Sequence, residues 1–260
     1  MTKIGCLLIH GWTGEPFEME PLVEPLERMG CMARTVLLPG HGTSFSEFRR
    51  TYWADWRAGA EAAYDALAAE TDAVVVGGLS MGGLLALHLG AARPVAGVVS
   101  MAAPLFVYSL CPPRMKDWRL PLVRFLRHVR PVWPGKPRRA EAEVIAPWRG
   151  YDGAVSLPQL YSLMEGGRDV AGRLKAVTAP LLVMHCPTDA TSPVENAWEI
   201  LRGVASRERR LELLPIEETV TAHHMLTTHR ETRERVIHFF CDFVRKMPKY
   251  DKNGNDNDIR

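Results

Sequence analysis

A serine lies between two glycines, each two residues away, in the segment Gly78-Leu79-Ser80-Met81-Gly82. The apolar run DAVVV precedes this segment and the helix-forming run LLALHLGAA follows it, which indicates a sharp turn from a strand into a helix. Glycines suit so tight a turn because a Cβ atom there would collide with neighbouring backbone. The turn would raise the Ser80 hydroxyl above the sheet as a nucleophile for acyl transfer. A serine that only caps the helix is the alternative, which this context disfavours.

A serine hydroxyl becomes a useful nucleophile only when a base removes its proton. In the chain order Ser, Asp, His, an acid follows one strand and the base follows the last strand. Asp189 comes just after the apolar run APLLVMHC, and His223 and His224 follow the last run, LELLP. Both histidines are candidates for the base, and Asp189 is expected to orient it unless it only caps a turn. His229 is expected at the surface, and the spacing of these histidines is a poor match to a metal site.

A loop that could stabilise negative charge follows the first apolar run, in the segment Leu7–Gly14. Backbone N–H groups of such a loop, with that of the residue after the nucleophile, can bind the oxyanion of acyl transfer. These are the N–H groups of Trp12 and Met81. His10 is expected to brace the loop by hydrogen bonds, and His41 in Pro39-Gly40-His41-Gly42 is expected to pack or hydrogen-bond.

The elements that must position these residues alternate between strand and helix along most of the chain. The strand candidates have little polar alternation, as strands buried on both faces of a parallel sheet do. They are Ile4–Ile9, Ala33–Leu38, Ala73–Val76, Val95–Ser100, Pro180–Cys186 and Leu211–Leu214. The helix candidates are Glu18–Met29, Trp53–Ala69, Gly82–Ala92, Leu157–Val177, Pro193–Val204 and Glu231–Lys246. This alternation predicts a doubly wound α/β fold.

A proline-rich stretch over residues 104–150 interrupts the alternation and excludes a long helix or a central strand. We expect one α/β domain over residues 1–250, a cap insertion at about 104–156 and a flexible polar tail at 251–260. Within the cap, Pro121 can begin a short helix. Its apolar side is expected to cover a pocket, and comprises Leu122, Val123, Phe125, Leu126 and Val129.

The cap is basic, with nine Lys and Arg residues and one acid, Asp117, between Arg114 and Arg139. Either these charges are solvated, or Arg124, Arg127 and Arg130 make weak contact with an anionic membrane surface.

The whole chain of 260 residues carries a net charge of only +2, so its charge offers no case for nucleic-acid binding. The start of the chain does not match a signal peptide, and no stretch approaches the roughly 18 apolar residues of a membrane span. None of the five cysteines forms a CxxC pair, and Cys6 and Cys186 are expected to be buried thiols. We therefore expect a cytoplasmic protein.

Several stretches of the chain resemble the α/β-hydrolases, and more narrowly the small bacterial carboxylesterases that act as monoacylglycerol lipases. They are LLIHGWTGEPFEMEPLVEPLERMG, LPGHG, GLSMGGLLALHLG, VVSMAAPL, PLLVMHCPTDATSPVENA and HHMLTTHRE. In that family an apolar pair and a threonine follow the catalytic histidine, so the resemblance selects His224, which Met225-Leu226-Thr227 follows. Members commonly have a serine two residues before this histidine, where this chain has Ala222.

The resemblance implies an α/β-hydrolase fold with a mostly parallel sheet of about six strands, and a serine carboxylic-ester hydrolase. Ser80, Asp189 and His224 would be catalytic, and no metal or organic cofactor would be needed. The partner would be a small ester with an apolar acyl chain, such as a monoacylglycerol. A thioesterase using the same residues is the alternative, and a ligand-binding protein without activity is a further one. The oligomeric state is not predicted.

Overall fold

The structure is a computed structural model that describes residues 2–110, 113–115, 117–135 and 137–247. Within these ranges, the six predicted strands pair side by side in one parallel sheet. They are β1 (Ile4–Ile9), β2 (Met32–Val36), β3 (Ala73–Leu79), β4 (Gly97–Met101), β5 (Leu181–His185) and β6 (Arg209–Leu213). Their order across the sheet is β6-β5-β4-β3-β1-β2. The sequence-based fold class is confirmed.

The central strands are apolar because both faces of the sheet are covered by helices. The α-helices of the described residues are α1 (Val23–Arg28), α2 (Phe45–Phe48), α3 (Trp53–Ala68), α4 (Met81–Ala92), α5 (Val123–Val129), α6 (Ala140–Ile145), α7 (Leu157–Arg173), α8 (Glu195–Gly203) and α9 (Arg233–Arg245). One core cluster joins the sheet to α3, α4, α7 and α8, and a second joins its other face to α1 and α9. The edge strands β2 and β6 are only partly buried, which agrees with their more polar sequences.

Residues 104–156, which were predicted as a cap insertion and are called the cap below, lie between β4 and α7 in the chain. The cap contains α5, α6 and two short antiparallel strand pairs, in which 108–110 pairs with 113–115 and 132–134 pairs with 154–156. A small apolar cluster formed by Val123, Leu157 and Met164 attaches α5 to α7. Positions 111, 112, 116 and 136 of this segment lie outside the described residues, as does the predicted tail 251–260.

The prediction that one whole side of α5 covers a pocket is wrong. Val123 is buried and Leu126 lines a cavity, but the side chains of Leu122, Phe125 and Val129 are exposed. At 100° per residue Phe125 and Val129 lie on one side of α5, turned away from Val123, and Leu122 lies just before the helix. A helix this short rests on α7 with one edge only, so these side chains face solvent.

Cys6, Cys186 and Cys241 are buried as free thiols, as predicted for the first two, and Cys31 is a free thiol that is partly buried. Cys111 lies outside the described residues. Among the described helices, none has the length and hydrophobicity needed to cross a membrane.

Candidate active site

Ser80 occupies a strained turn between β3 and α4. Its φ of 56° and ψ of −117° lie where few non-glycine residues occur. A Cβ atom on Gly78 would be 2.2 Å from the carbonyl oxygen of Gly82, and one on Gly82 would be 2.0 Å from that of Ile9. Positions 78 and 82 must therefore both be glycine. The side chain of Ser80 lines a cavity above the sheet.

Asp189 and His224 meet at the carboxyl end of the sheet, although 35 residues separate them. The Nδ1–H of His224 donates to Oδ2 of Asp189 at 2.7 Å. The other carboxylate oxygen, Oδ1, accepts the backbone N–H groups of Thr191 at 2.7 Å and Ser192 at 2.9 Å. His224 lines the same cavity as Ser80. The loops after β3, β5 and β6 thus bring the three predicted residues to one site.

His223, the other candidate base, has both ring nitrogens engaged elsewhere. Its Nε2 donates to the carbonyl oxygen of Glu218 at 2.6 Å, and its Nδ1 accepts the Thr188 hydroxyl at 2.7 Å. The residue also has a positive φ of 56°, which is uncommon for a residue other than glycine. His223 therefore braces the loop that carries His224.

The prediction that His229 is a surface residue is wrong. Its side chain is fully buried, and its Nε2 lies 3.2 Å from Oε1 of Glu218. Burial opposes ionisation of Glu218, but hydrogen bonds from Thr221, Val220 and His229 outweigh it and lower the pKa of this carboxyl to about 2. The ring lies inside because this carboxylate satisfies its polar atom.

The loop after β1 is held so that one N–H can point into the cavity. The carbonyl oxygen of Gly11 accepts His10 Nδ1–H at 2.9 Å and the N–H of Gly14 at 3.2 Å. This carbonyl shares a planar peptide unit with the N–H of Trp12, which must therefore point the opposite way. The second predicted donor, the N–H of Met81, lies in the first turn of α4, where helix N–H groups have no partner within the helix.

Two histidines brace this loop; the role was predicted for His10, whereas His41 was predicted only to pack or hydrogen-bond. His10 Nε2 accepts the N–H of Leu38 and His41 Nε2 accepts that of Thr13, both at 3.2 Å. Each ring therefore carries its proton on Nδ1, which His41 donates to the carbonyl of Pro39 at 3.1 Å. Burial lowers the pKa of His10 to about 3 and that of His41 to about 4, so both rings are neutral at pH 7.

The cavity above Ser80 has a volume of about 630 Å³ and extends beneath the cap. Most of the cap and α7 residues that line it are apolar, and Asp117 and Arg119 of the cap line it as well. The apolar ones include Val107, Val123, Leu126, Val155, Leu160 and Leu163. Such a cavity can accommodate a flexible apolar chain attached to a group that reacts at Ser80.

Glu18 is a polar residue of this cavity that the sequence did not single out, since it was assigned to the first turn of a helix. It is only 1% exposed. Its Oε2 accepts the N–H of Gly11 at 2.6 Å, and its Oε1 accepts Trp148 Nε1–H at 2.7 Å. Its partner in the cap lies 130 residues away, so no local pattern could have revealed it. In the described part of the chain, no group of three or more potential metal ligands is clustered.

Comparison with known proteins gives a consistent family. Residues 6–237 match the sequence profile of the alpha/beta hydrolase family. A thermostable monoacylglycerol lipase of Bacillus sp. strain H-257 is 29% identical over 242 residues, covering 92% of this chain and 90% of the relative. A carboxylesterase of Bacillus subtilis strain 168 is 24% identical, covering 93% and 92%.

A solved structure described with two metagenome-derived lipolytic enzymes, LipS and LipT, superimposes with a TM-score of 0.80. It is 28% identical to this chain, and the match covers 94% of both chains.

Proposed function

The chain belongs to the α/β hydrolase family and is an ester hydrolase of the carboxylesterase and monoacylglycerol lipase type, and we propose that it works through Ser80, His224 and Asp189. The observation that carries this proposal is the 2.7 Å hydrogen bond between His224 and Asp189 in the cavity that Ser80 lines. The strained turn at Ser80 supports it, since strain of this kind is typical of functional sites.

In the first half-reaction, Asp189 holds the proton of His224 on Nδ1, which leaves Nε2 as a base. His224 takes the Ser80 proton while the serine oxygen attacks the ester carbonyl. The N–H groups of Trp12 and Met81 then stabilise the tetrahedral oxyanion. When this intermediate collapses, His224 gives its proton to the departing alcohol, and the acyl group remains on Ser80.

In the second half-reaction, His224 takes a proton from water, which attacks the acyl-enzyme at the same carbonyl carbon. A second tetrahedral oxyanion forms in the same place, and its collapse returns the proton to Ser80. The carboxylic acid then leaves the cavity. These steps require only groups of this chain and one water molecule.

The apolar part of the cavity beneath the cap supports esters with a long acyl chain, and we propose monoacylglycerols as the substrate class. A Bacillus relative named as a monoacylglycerol lipase agrees with this choice. Initial rates on monoacylglycerols of increasing chain length should rise until the chain fills the cavity. Preference for a matched acyl thioester over the glycerol ester would instead favour the thioesterase alternative.

The experiment that tests the triad is covalent labelling of Ser80. A fluorophosphonate should form one adduct, which peptide mass spectrometry assigns to Ser80, and Ser80→Ala should abolish labelling and turnover while the protein remains folded. An adduct on another residue, or normal turnover of Ser80→Ala, would contradict the proposal.

We also propose that the cap makes weak contact with an anionic membrane surface. The exposed side chains of Phe125 and Val129 on α5, with that of Leu122 just before it, provide apolar area that can enter a lipid headgroup layer. Three cations lie on the same helix or at its end and are called the cap arginines, namely Arg124, Arg127 and Arg130. The proposed location is the cytoplasm, which free buried thiols support.

A further inference from the structure

Glu18 is a buried carboxyl group that takes no part in the steps above. It lines the cavity together with Ser80 and His224, and each of its oxygens accepts one N–H group. Burial raises its pKa to about 7, although hydrogen bonds from Gly11 and Trp148 and the charges of His224 and Arg138 oppose this shift. An apolar side chain of similar size would avoid the cost of burying this group.

One oxygen of Glu18 holds the loop that carries Trp12. The N–H of Gly11 belongs to the peptide unit just before the unit that contains the N–H of Trp12. Oε2 of Glu18 holds the His10–Gly11 peptide unit through the N–H of Gly11, at 2.6 Å. The side chain of His10 and the N–H of Gly14 hold the Gly11–Trp12 unit through the carbonyl oxygen of Gly11. With both units held, the φ and ψ angles of Gly11 are set. Glycine would otherwise be free to rotate there, and the Trp12 N–H would rotate with it.

The other oxygen of Glu18 joins this loop to the cap through Trp148. A second link lies beside it, because the N–H of Tyr151 donates to the carbonyl of Thr13 at 3.1 Å. The loop of the Trp12 N–H is thus attached at two points to the segment 148–151. A cap displaced from this position would pull on Glu18 and on the loop together.

We propose that Glu18 is the positioning residue of the oxyanion-binding loop, which it holds at Gly11 and couples to the cap through Trp148. This inference rests on the proposed role of the Trp12 N–H in the ester hydrolase. Glu18 touches no reacting atom and acts through the Gly11–Trp12 backbone. A carboxylate offers an acceptor oxygen to each of the two N–H donors, whereas an amide of the same shape offers an oxygen to only one of them.

Glu18→Gln tests this difference because it has nearly the same size but only one acceptor oxygen. Its amide NH₂ must face one N–H donor, either that of Gly11 or that of Trp148. We expect kcat to fall about 10- to 100-fold with little change in KM, since one oxyanion donor is worth about 10²- to 10³-fold. The affinity for a boronic acid, which adds to serine as a tetrahedral anion, should fall by a similar factor. A purely structural loss would alter the amount of folded enzyme but not kcat per labelled site.

Trp148→Phe provides the rescue. In the double variant Glu18→Gln/Trp148→Phe, the amide NH₂ can turn to the ring, which no longer has a donor, and the amide oxygen can accept from Gly11. The double variant should therefore have a higher kcat than Glu18→Gln alone. Glu20→Gln is the matched control, since it is the same change at an exposed position two residues further on, and its kcat should equal that of the parent.

All rates are counted per site labelled by fluorophosphonate, which corrects for protein that fails to fold. Unchanged kcat in Glu18→Gln would overturn the positioning role, and so would a double variant that is slower than Glu18→Gln. Failure of the proposed function is a separate result, because the parent enzyme would then show neither labelling of Ser80 nor ester turnover.

Discussion

Asp189→Asn is the substitution whose consequence the site geometry defines most sharply. The backbone N–H groups of Thr191 and Ser192 both donate to Oδ1 of this carboxylate, so only an acceptor oxygen fits at that position. The new amide must therefore place its NH₂ where Oδ2 now accepts from His224. Facing a donor, His224 Nδ1 gives up its proton and becomes an acceptor, and the proton moves to Nε2. The nitrogen that should accept the Ser80 proton is then occupied.

The expected loss is about 10⁴-fold in kcat, the size found when the same exchange fixes the wrong histidine tautomer in a serine protease. At about 1.4 kcal/mol for each factor of ten, this loss corresponds to about 5.5 kcal/mol of activation free energy. The fold should be retained, since the amide keeps the hydrogen bonds to Thr191 and Ser192.

The assay is the initial rate on a short soluble aryl ester, with thermal unfolding as the check on folding. Asp152→Asn is the matched control, because it makes the same change at an exposed position in the cap. A loss smaller than tenfold for a folded Asp189→Asn protein would refute the tautomer argument and with it the role of Asp189.

Four further predictions address other parts of the site and the fold. His224→Ala should abolish ester turnover, whereas His223→Ala should only weaken it. Initial rates that showed the larger loss in His223→Ala would instead identify His223 as the base. Gly82→Ala should destroy activity because its Cβ would meet backbone at 2.0 Å, whereas Gly172→Ala, which meets nothing within 4 Å, should raise thermal stability. Because the pKa of His10 is about 3 when folded against an ordinary 6.5, protons favour the unfolded chain as the pH falls from about 6.5 towards 3. When the pH is lowered from 7 to 5, the free energy of unfolding of the parent should therefore fall by about 2 kcal/mol more than that of His10→Asn. Urea titrations at the two pH values measure both losses. Equal losses would refute the prediction that His10 is neutral in the folded protein. The protein should bind vesicles that contain anionic lipid better than neutral vesicles. High salt, or replacement of the cap arginines by alanine, should weaken the binding to anionic vesicles. Equal binding to anionic and neutral vesicles would rule out the proposed membrane contact.

The types of the elements were determined by local sequence. Apolar runs without polar alternation predicted the strands, and all six appear in the parallel sheet with boundaries that shift by at most two or three residues. The turn at the nucleophile could be predicted for a similar reason. A strand, a serine flanked by two glycines and a helix follow one another directly in the segment around Ser80. Information of this kind lies within a few residues, where backbone sterics and periodicity act.

The choice between adjacent histidines needed more than local pattern. Family resemblance selected His224, but the residues alone left His223 equally placed in the loop. The structure distinguishes them through a positive φ at His223 and through hydrogen bonds to Thr188 and Glu218. These hydrogen-bond partners depend on how two separate loops pack, and this packing cannot be predicted from the spacing of the histidines.

Tertiary structure alone decided which polar groups lie inside. His229 lies among the turns just before α9 and Glu18 sits in a short turn, positions that usually face solvent, yet both are buried. Glu18 is buried because Trp148 of the cap, 130 residues away, donates to it, whereas His229 is buried against Glu218, 11 residues away in the same loop. Likewise, the exposed side of α5 follows from the single edge on which that helix rests. Sequence determined which elements form and which chemistry they can support, whereas contacts between segments far apart in the chain determined which side chains those elements bury and orient.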